Sequence, residues 1–375
     1  MVSEVVRLKE GEGKIPLTKP ILTREMEEMV IKVLRSGQYV LGEENRLFER
    51  EFAHMIGKKH AITTNSGTAA LYMALKVLNI GRGDEVILPS FTFWASAEVV
   101  LILEANPVFC ELNPLTFTLD HENVEASLSK KTKAIMPVHL FGHPTDMDPM
   151  LKISSERDIS IVEDCCQGHG AQYKHRPVGS FGELSCFSFY PSKNITVAGE
   201  GGMLVTDNEE LAEKARLIRN HGQVGKYLHS DIGFNFRLNE INAAVGRIQL
   251  KKLYEWVDDR RNLASAYNDA LKNCAQVTVP MESPWAYHSY TNYVLRVQQR
   301  DELNQWLQSN GVSSTVHYRV PCHRQLAYMV SGGKKTSLLP KTDDCAEEVL
   351  TLPLYPQMTL SDVVYVSELI KKFFQ

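Results

Sequence analysis

Residues 61–71 read Ala61-Ile62-Thr63-Thr64-Asn65-Ser66-Gly67-Thr68-Ala69-Ala70-Leu71. A short apolar, β-branched run gives way to a segment whose Leu71, Ala74, Leu75 and Leu78 recur at helical spacing, so the stretch reads as strand, turn and helix start. Free N–H groups at a helix start, with hydroxyls beside them and a glycine that allows close approach, suit a phosphate. The plainer reading is an ordinary helix cap, since Ser and Thr are favoured there without any ligand. A helix end contributes up to about 2 kcal/mol, whereas micromolar affinity needs roughly 8 kcal/mol. A ligand held here therefore needs other anchors.

The same alternation continues outward. Short β-rich runs at 61–64, 85–88, 107–110, 134–138, 160–163, 184–189 and 203–206 are interleaved with helix-like segments. Most are apolar along their whole length, as strands covered on both faces are. The expectation is an α/β fold with a mostly parallel seven-stranded sheet flanked by helices. After Asn208, Ile241, Ala244, Val245 and Ile248 form one stripe of an amphipathic helix that is expected to run on towards Trp256. Beyond Gln276 a strand at 293–297 and helices around Leu303 and at the C-terminus predict a smaller α+β domain. The division is placed at residues 1–255, N-terminal segment included, and 256–375, although no Pro/Gly/Ser-rich linker marks it.

Composition narrows the classes. At 375 residues the chain exceeds what one core comfortably serves, which favours two domains. Its 43% hydrophobic and 23% charged residues are those of a folded protein rather than a disordered one. A net charge of −4 gives no basic excess for a nucleic acid. The longest apolar runs, such as residues 99–103, fall well short of the roughly 20 residues a bilayer span needs. Glu4, Glu10 and Glu12 interrupt the first residues where a secretory signal would be apolar, and seven cysteines read as reduced thiols, so a cytoplasmic location is expected.

Three further motifs could carry chemistry. Glu163-Asp164 ends an apolar strand, where open α/β sheets place ligand-contacting groups; the alternative is a solvated acidic pair capping a turn. Gln167 and His169 follow closely. Lys193, in Ser188-Phe189-Tyr190-Pro191-Ser192-Lys193-Asn194, leaves another strand end; buried lysines become nucleophilic amines, while most loop lysines are merely solvated. Phe91, Phe93 and Trp94 offer a stacking ring, with at least two of the three expected in the core. Phosphate cradle, aromatic, acid and lysine along one sheet edge match the needs of pyridoxal phosphate. The acid holds the pyridine nitrogen protonated through a charged hydrogen bond worth about 1.5–3 kcal/mol.

At this point the sequence resembles the DegT/StrS family of sugar aminotransferases, pyridoxal-phosphate enzymes of fold type I. The resemblance rests on Gly42 and its helix, NSGTAAL at 65–71, GDEVILPSFTF at 83–93, VEDCCQGHGA at 162–171, FSFYPSKN at 187–194, GEGG at 199–202, GFNFRLNEINAA at 233–244, Val316-His317-Tyr318 and LPLYP at 352–356. It implies that Lys193 is the Schiff-base lysine, that Asp164 partners the pyridine nitrogen and that Gln167 approaches the phenolic oxygen. Ser66, Gly67, Thr68 and Ser188 would bind phosphate, and Phe93 would stack on the ring. In relatives the segment matching 233–237 reaches the neighbouring subunit's site, so Asn235 or Arg237 would touch the phosphate of a homodimer with shared sites. His317, Tyr318 and residues 38–41 are implied substrate contacts.

The implied reaction moves an amino group, from glutamate, to a nucleotide-linked 3-keto or 4-keto deoxysugar in a ping-pong cycle, as in amino-sugar biosynthesis for polysaccharides or antibiotics. Aminotransferases of cyclic polyols and a catalytically silent sensor are the competitors; sugar deoxygenases of a sister group carry histidine in place of Lys193. Cys165 and Cys166 stand where relatives have small residues. Their pairing with His169 lacks the spacing of a Zn²⁺ site, and for the cluster of His139, His143, Asp146 and Asp148 the resemblance implies a comparable loop that holds no metal, so no metal is expected. Arg82-Gly83-Asp84 reads as a turn before a strand.

Overall fold

The structure, a computed structural model, describes residues 14–331 and 338–375. The reading of the first residues as lacking an export signal lies, except for Lys14, outside them. Seven strands form the central sheet: β1 (His60–Thr64), β2 (Glu85–Pro89), β3 (Asn106–Cys110), β4 (Thr132–Ile135), β5 (Ser160–Asp164), β6 (Leu184–Ser188) and β7 (Gly202–Thr206). Their order is β1-β7-β6-β5-β4-β2-β3. β7 runs antiparallel to both neighbours, and every other pairing is parallel. All seven expected strands are present. β4 stops at Ile135, short of the expected 138, because Pro137 has no N–H for the ladder; its carbonyl still accepts from Asp164 N at 2.9 Å.

Strand alternation feeds two apolar layers. On β6, Cys186 joins the cluster formed with helices Gly67–Val77, Ala95–Ile102 and Glu209–Arg219, while Phe187 points to the cluster formed with Glu43–Ile56 and Glu240–Leu250. Both faces of the sheet are thereby buried, which is why its strands carry few polar residues.

The long helix expected towards Trp256 is two helices. Glu240–Leu250 ends, Lys252 N closes the turn on Gln249 O at 2.9 Å, and a new helix runs Leu253–Leu271. The redirection has a packing reason. Leu253, Trp256 and Val257 stay in the second apolar layer, whereas Leu263, Ala264, Tyr267 and Leu271 reach a separate core. That core is completed by an antiparallel sheet of β8 (Val277–Thr278), β9 (Tyr293–Val297) and β10 (Val349–Leu352), with helices Arg300–Ser309 and Leu360–Phe373. At the N-terminal end Ile15 pairs with this second group, Ile15 N donating to Gly311 O and Ser313 N to Ile15 O, both at 2.9 Å, while Met26 and Phe48 pack in the second apolar layer. Among the described residues no helix is long and apolar enough to cross a membrane.

Candidate active site

β1, β2, β5 and β6 all point their carboxyl ends at one cavity of about 720 Å³. This is where a mostly parallel sheet leaves its loops free to meet a ligand. The cavity brings together Ser66, Gly67, Thr68, Phe93, Asp164, Gln167, Ser188, Lys193, His317 and Tyr318, whose sequence positions span more than two hundred residues. Asn235, Arg237 and residues 38–41 do not line it. Arg237 instead donates to Asn220 Oδ1 at 2.6 Å, and Asn235 O accepts from Asn65 Nδ2 at 3.1 Å.

The helix Gly67–Val77 opens directly onto the cavity. Ser66 is its cap, accepting from Ala69 N at 3.1 Å through Oγ, so the plain capping role is real, and its hydroxyl proton remains available. The N–H groups of Gly67 and Thr68 precede any intrahelical acceptor. A Cβ on Gly67 would stand 2.7 Å from Ser188 Cβ and 2.9 Å from Cys166 Sγ. The glycine is what lets the helix start come up against the end of β6, so that helix N–H groups and the Ser188 hydroxyl share one concave wall. Gly202 does the same from β7, where a Cβ would meet Ser66 O at 2.3 Å.

The acidic pair at the end of β5 splits between the two faces of the strand. Glu163 is fully buried and accepts from His139 Nε2 (3.0 Å), Ser185 Oγ (3.0 Å) and the N–H groups of Gly179 (2.8 Å), Phe181 (2.8 Å) and Gly182 (2.6 Å). Burial works to raise its proton affinity, but His139 and the backbone donors outweigh that and hold it below the usual range. Asp164, 4% exposed, faces the cavity and accepts from Ser96 Oγ at 2.7 Å and Cys166 N at 3.0 Å. Neither carboxylate is solvated.

Lys193 retains some surface on the cavity side and is otherwise enclosed by protein. Desolvation pushes its ammonium below the ordinary lysine range, with Cys166 and Asp164 opposing the shift. An amine in that position gives up its proton more readily than a solvated one.

Phe93 is 56% exposed and stands 6.1 Å from the Tyr318 ring, whereas Phe91 is in the core and Trp94 packs against it. Phe91 is therefore a core residue and Trp94 a partly buried one packed against the core, which leaves Phe93 as the ring on the cavity. Gln167 is fixed at both ends: Oε1 accepts from Phe141 N and Nε2 donates to Tyr318 Oη, each at 2.9 Å. His317 Nδ1 lies 3.0 Å from Thr351 Oγ1, and burial together with the Lys193 charge pushes its pKa down to about 4. Near neutral pH it is an uncharged ring.

The remaining sequence candidates are engaged elsewhere. Thr145 N donates to His139 Nδ1 at 3.0 Å, so the His139 proton sits on Nε2, facing Glu163. His143 bonds Pro144 O and accepts from Ser283 N; Asp146 accepts from Tyr173, and Asp148 pairs with Lys174. Arg82-Gly83-Asp84 is a turn, with Asp84 N on Gly81 O and Asp84 Oδ2 taking Gly81 N. Burial pushes the Cys165 and Cys166 thiols up, and only Cys166 reaches the cavity.

Sequence reading missed Ser96, the second residue of the helix Ala95–Ile102 and 68 residues before its partner Asp164. It also missed Thr18, Thr291, Asn292 and Thr351, which come from the N-terminal stretch and the second unit. No local pattern announces any of them.

The arrangement fits pyridoxal phosphate on its own chemistry: donors for a phosphate at the Gly67 wall, a buried carboxylate and a desolvated amine all line one cavity. Known proteins agree. The chain is 39% identical over 352 residues to dTDP-3-amino-3,4,6-trideoxy-alpha-D-glucose transaminase of Streptomyces venezuelae, covering 94% of this chain and 93% of that one. It is 37% identical over 358 residues to UDP-N-acetyl-3-dehydro-alpha-D-glucosamine 3-aminotransferase of Acidithiobacillus ferrooxidans, covering 95% and 94%. The crystal structure of S. venezuelae DesV in complex with a ketimine intermediate superposes with a TM-score of 0.92 at 37% identity, over 96% of this chain and 98% of that one. With that family's profile matching residues 20–371, the chain belongs to the DegT/DnrJ/EryC1/StrS aminotransferase family.

Proposed function

We propose that this protein transfers an amino group from glutamate to the keto carbon of a nucleotide-linked 3-keto or 4-keto deoxysugar, using pyridoxal phosphate. The observation that carries the reading is a desolvated lysine amine and a buried, doubly hydrogen-bonded aspartate in one cavity, beside a helix start that a single glycine opens. The two relatives named as transaminases of dTDP- and UDP-linked sugars support the substrate class.

Pyridoxal phosphate, when bound, supplies an aldehyde carbon that carries the amino group and a ring that accepts electrons. Gly67 N, Thr68 N and the hydroxyls of Ser66, Thr68 and Ser188 bind the phosphate. Asp164, oriented by Ser96 and Cys166 N, would hold the proton on the ring nitrogen, and Phe93 would stack on the ring. Lys193 would hold the group through Nζ, and its free amine would take up and return the proton of the donor's α-carbon. The donor departs as a keto acid before the ketosugar enters, so the two substrates alternate in one site. His317 and Tyr318 contact them. His317, being neutral, can accept or donate a hydrogen bond without opposing the Lys193 charge.

The lining of the single chain has Lys193 as its one lysine or arginine among the described residues, while both substrates and the cofactor are anionic. A second copy that brings Asn235 or Arg237 to the phosphate supplies the missing contacts. Val224, Tyr227, Leu228 and Ile232, all more than half exposed on the segment before those residues, support a homodimer. The division at 255/256 and a cytoplasmic location, consistent with seven free thiols, complete the proposal.

The test loads the protein with pyridoxamine phosphate and screens nucleotide ketosugars for return of the visible absorbance of the aldehyde form. Recovery with at least one such sugar, and formation of the amine form with glutamate, is the expected result. A protein that accepts no amino group from any amino acid would overturn the reading.

A further inference from the structure

Asn194 follows Lys193 and is 3% exposed. Its side-chain amide donates to His169 O at 3.1 Å and to Ser289 O at 3.2 Å. Two carbonyl acceptors decide which end of the side chain is the NH₂ group, and both of its protons are used.

The two acceptors belong to different parts of the molecule. His169 lies in the loop that leaves β5 after Asp164, and Ser289 lies just before Thr291 and Asn292, which line the cavity from the second unit. The amide next to the lysine is therefore bolted both to the loop of the acid and to the wall on the other side. The other end of the side chain gains nothing from this: Asn194 Oδ1 is buried without a hydrogen-bond partner among the described residues. An unsatisfied buried carbonyl is unfavourable, so the residue is poorly explained as a stabiliser.

Nor is it needed to join the two parts. Thr291 Oγ1 already donates to Gln167 O at 2.7 Å, and Gln167 Nε2 to Tyr318 Oη at 2.9 Å. What Asn194 adds is a tie from the lysine loop to the loop that follows β5, whereas Thr196 N, donating to Gln249 Oε1 at 2.7 Å, ties the same loop to the helix Glu240–Leu250. Lys193 N donates to Tyr190 O at 2.9 Å, which closes a turn within that loop, and the side chain of the next residue joins the turn to the loop that follows β5.

We propose that Asn194 is a positioning residue for Lys193, fixing Nζ relative to Asp164 by holding the following residue to two independent frames. The proposal rests on Lys193 being the amine that holds the cofactor. Losing the tie lets the loop shift away from β5, so Nζ loses part of the Asp164 field and its proton affinity changes; the proton transfer slows through misplacement.

The experiment compares full-length holoenzyme with Asn194→Ala, which removes both donors, and Asn194→Ser, which keeps one short donor. Three quantities are read: the thermal midpoint, the pH midpoint of the visible absorbance of the bound cofactor, and the single-turnover rate with glutamate. Expected for Asn194→Ala are borohydride trapping still on Lys193, a displaced pH midpoint and a turnover at least tenfold slower, with Asn194→Ser in between. An unmoved pH midpoint in both variants, with turnover following only the amount of folded protein, overturns the proposal, as does failure of both to fold. If the unsubstituted protein traps no cofactor on Lys193, the function reading itself has failed, which this comparison separates from a failure of the Asn194 role.

Discussion

Ser96 Oγ donates a 2.7 Å hydrogen bond to Asp164 Oδ2 across a sequence gap of 68 residues. With Cys166 N on Oδ1 at 3.0 Å, each carboxylate oxygen has a donor of its own. The carboxylate plane is therefore set before anything binds, and the ring nitrogen of a ligand meets an acceptor that need not reorganise.

Ser96→Ala removes one of these two bonds from a buried charged group. A hydrogen bond to a charged group contributes about 1.5–3 kcal/mol, so the glutamate half-reaction is expected to slow by roughly ten- to a hundredfold. Stopped-flow absorbance of the cofactor measures it. An unchanged rate would show that Asp164 does not depend on Ser96.

Gly67→Ala places a methyl 2.7 Å from Ser188 Cβ and 2.9 Å from Cys166 Sγ. Overpacking of this kind costs about 1–3 kcal/mol, and here the displaced group is Ser188, proposed above to bind the phosphate. Cofactor affinity should fall about tenfold or more while far-UV circular dichroism stays that of the parent. Equal affinity in a titration would remove the helix start from the binding wall.

Lys193→Met should abolish borohydride trapping and yet stabilise the cofactor-free protein. Burial lowers the proton affinity of Lys193 in the folded state, so between the folded and unfolded values the unfolded chain holds more protons, and folding is penalised at lower pH. The penalty is full below the folded value and vanishes above the ordinary lysine value of about 10.4. A higher thermal midpoint at pH 7 that converges with the parent as pH rises is the expected pattern; a lower midpoint at pH 7 contradicts it.

Glu163→Gln tests the carboxylate on the opposite face of β5. The folded protein holds Glu163 below its usual range, so its stabilisation is fully present above about pH 4.3 and is lost as pH falls through the folded value. The variant replaces an acceptor of five donors with a group that also presents an NH₂. A loss of about 1–3 kcal/mol at pH 7 is expected, shrinking in acid, with urea unfolding across pH as the measurement.

Much of the site was legible because each motif is local. Helix start, strand-end acid and loop lysine are read from a few consecutive residues, and a parallel sheet gathers strand ends on one side. The break between Leu250 and Leu253 was not legible: the apolar stripe of Ile241, Ala244, Val245 and Ile248 carries no signal that the next apolar residues belong to another core. The pairing of Ile15 with residues 311 and 313 was not legible for a similar reason, since these are long-range backbone bonds to which side-chain pattern is blind.

By itself the sequence determined the seven strands, the helices that cover them and the residue types available for chemistry, because hydrophobic period and turn residues act over a few positions. Only the tertiary structure decided which way each group faces. Of two adjacent acids it turned Asp164 to the cavity and sealed Glu163 behind the strand, and it brought Ser96 and Ser289 to the loops of the acid and the lysine. Those choices depend on what is packed on either side of a strand, and that is settled by contacts between residues far apart in the chain.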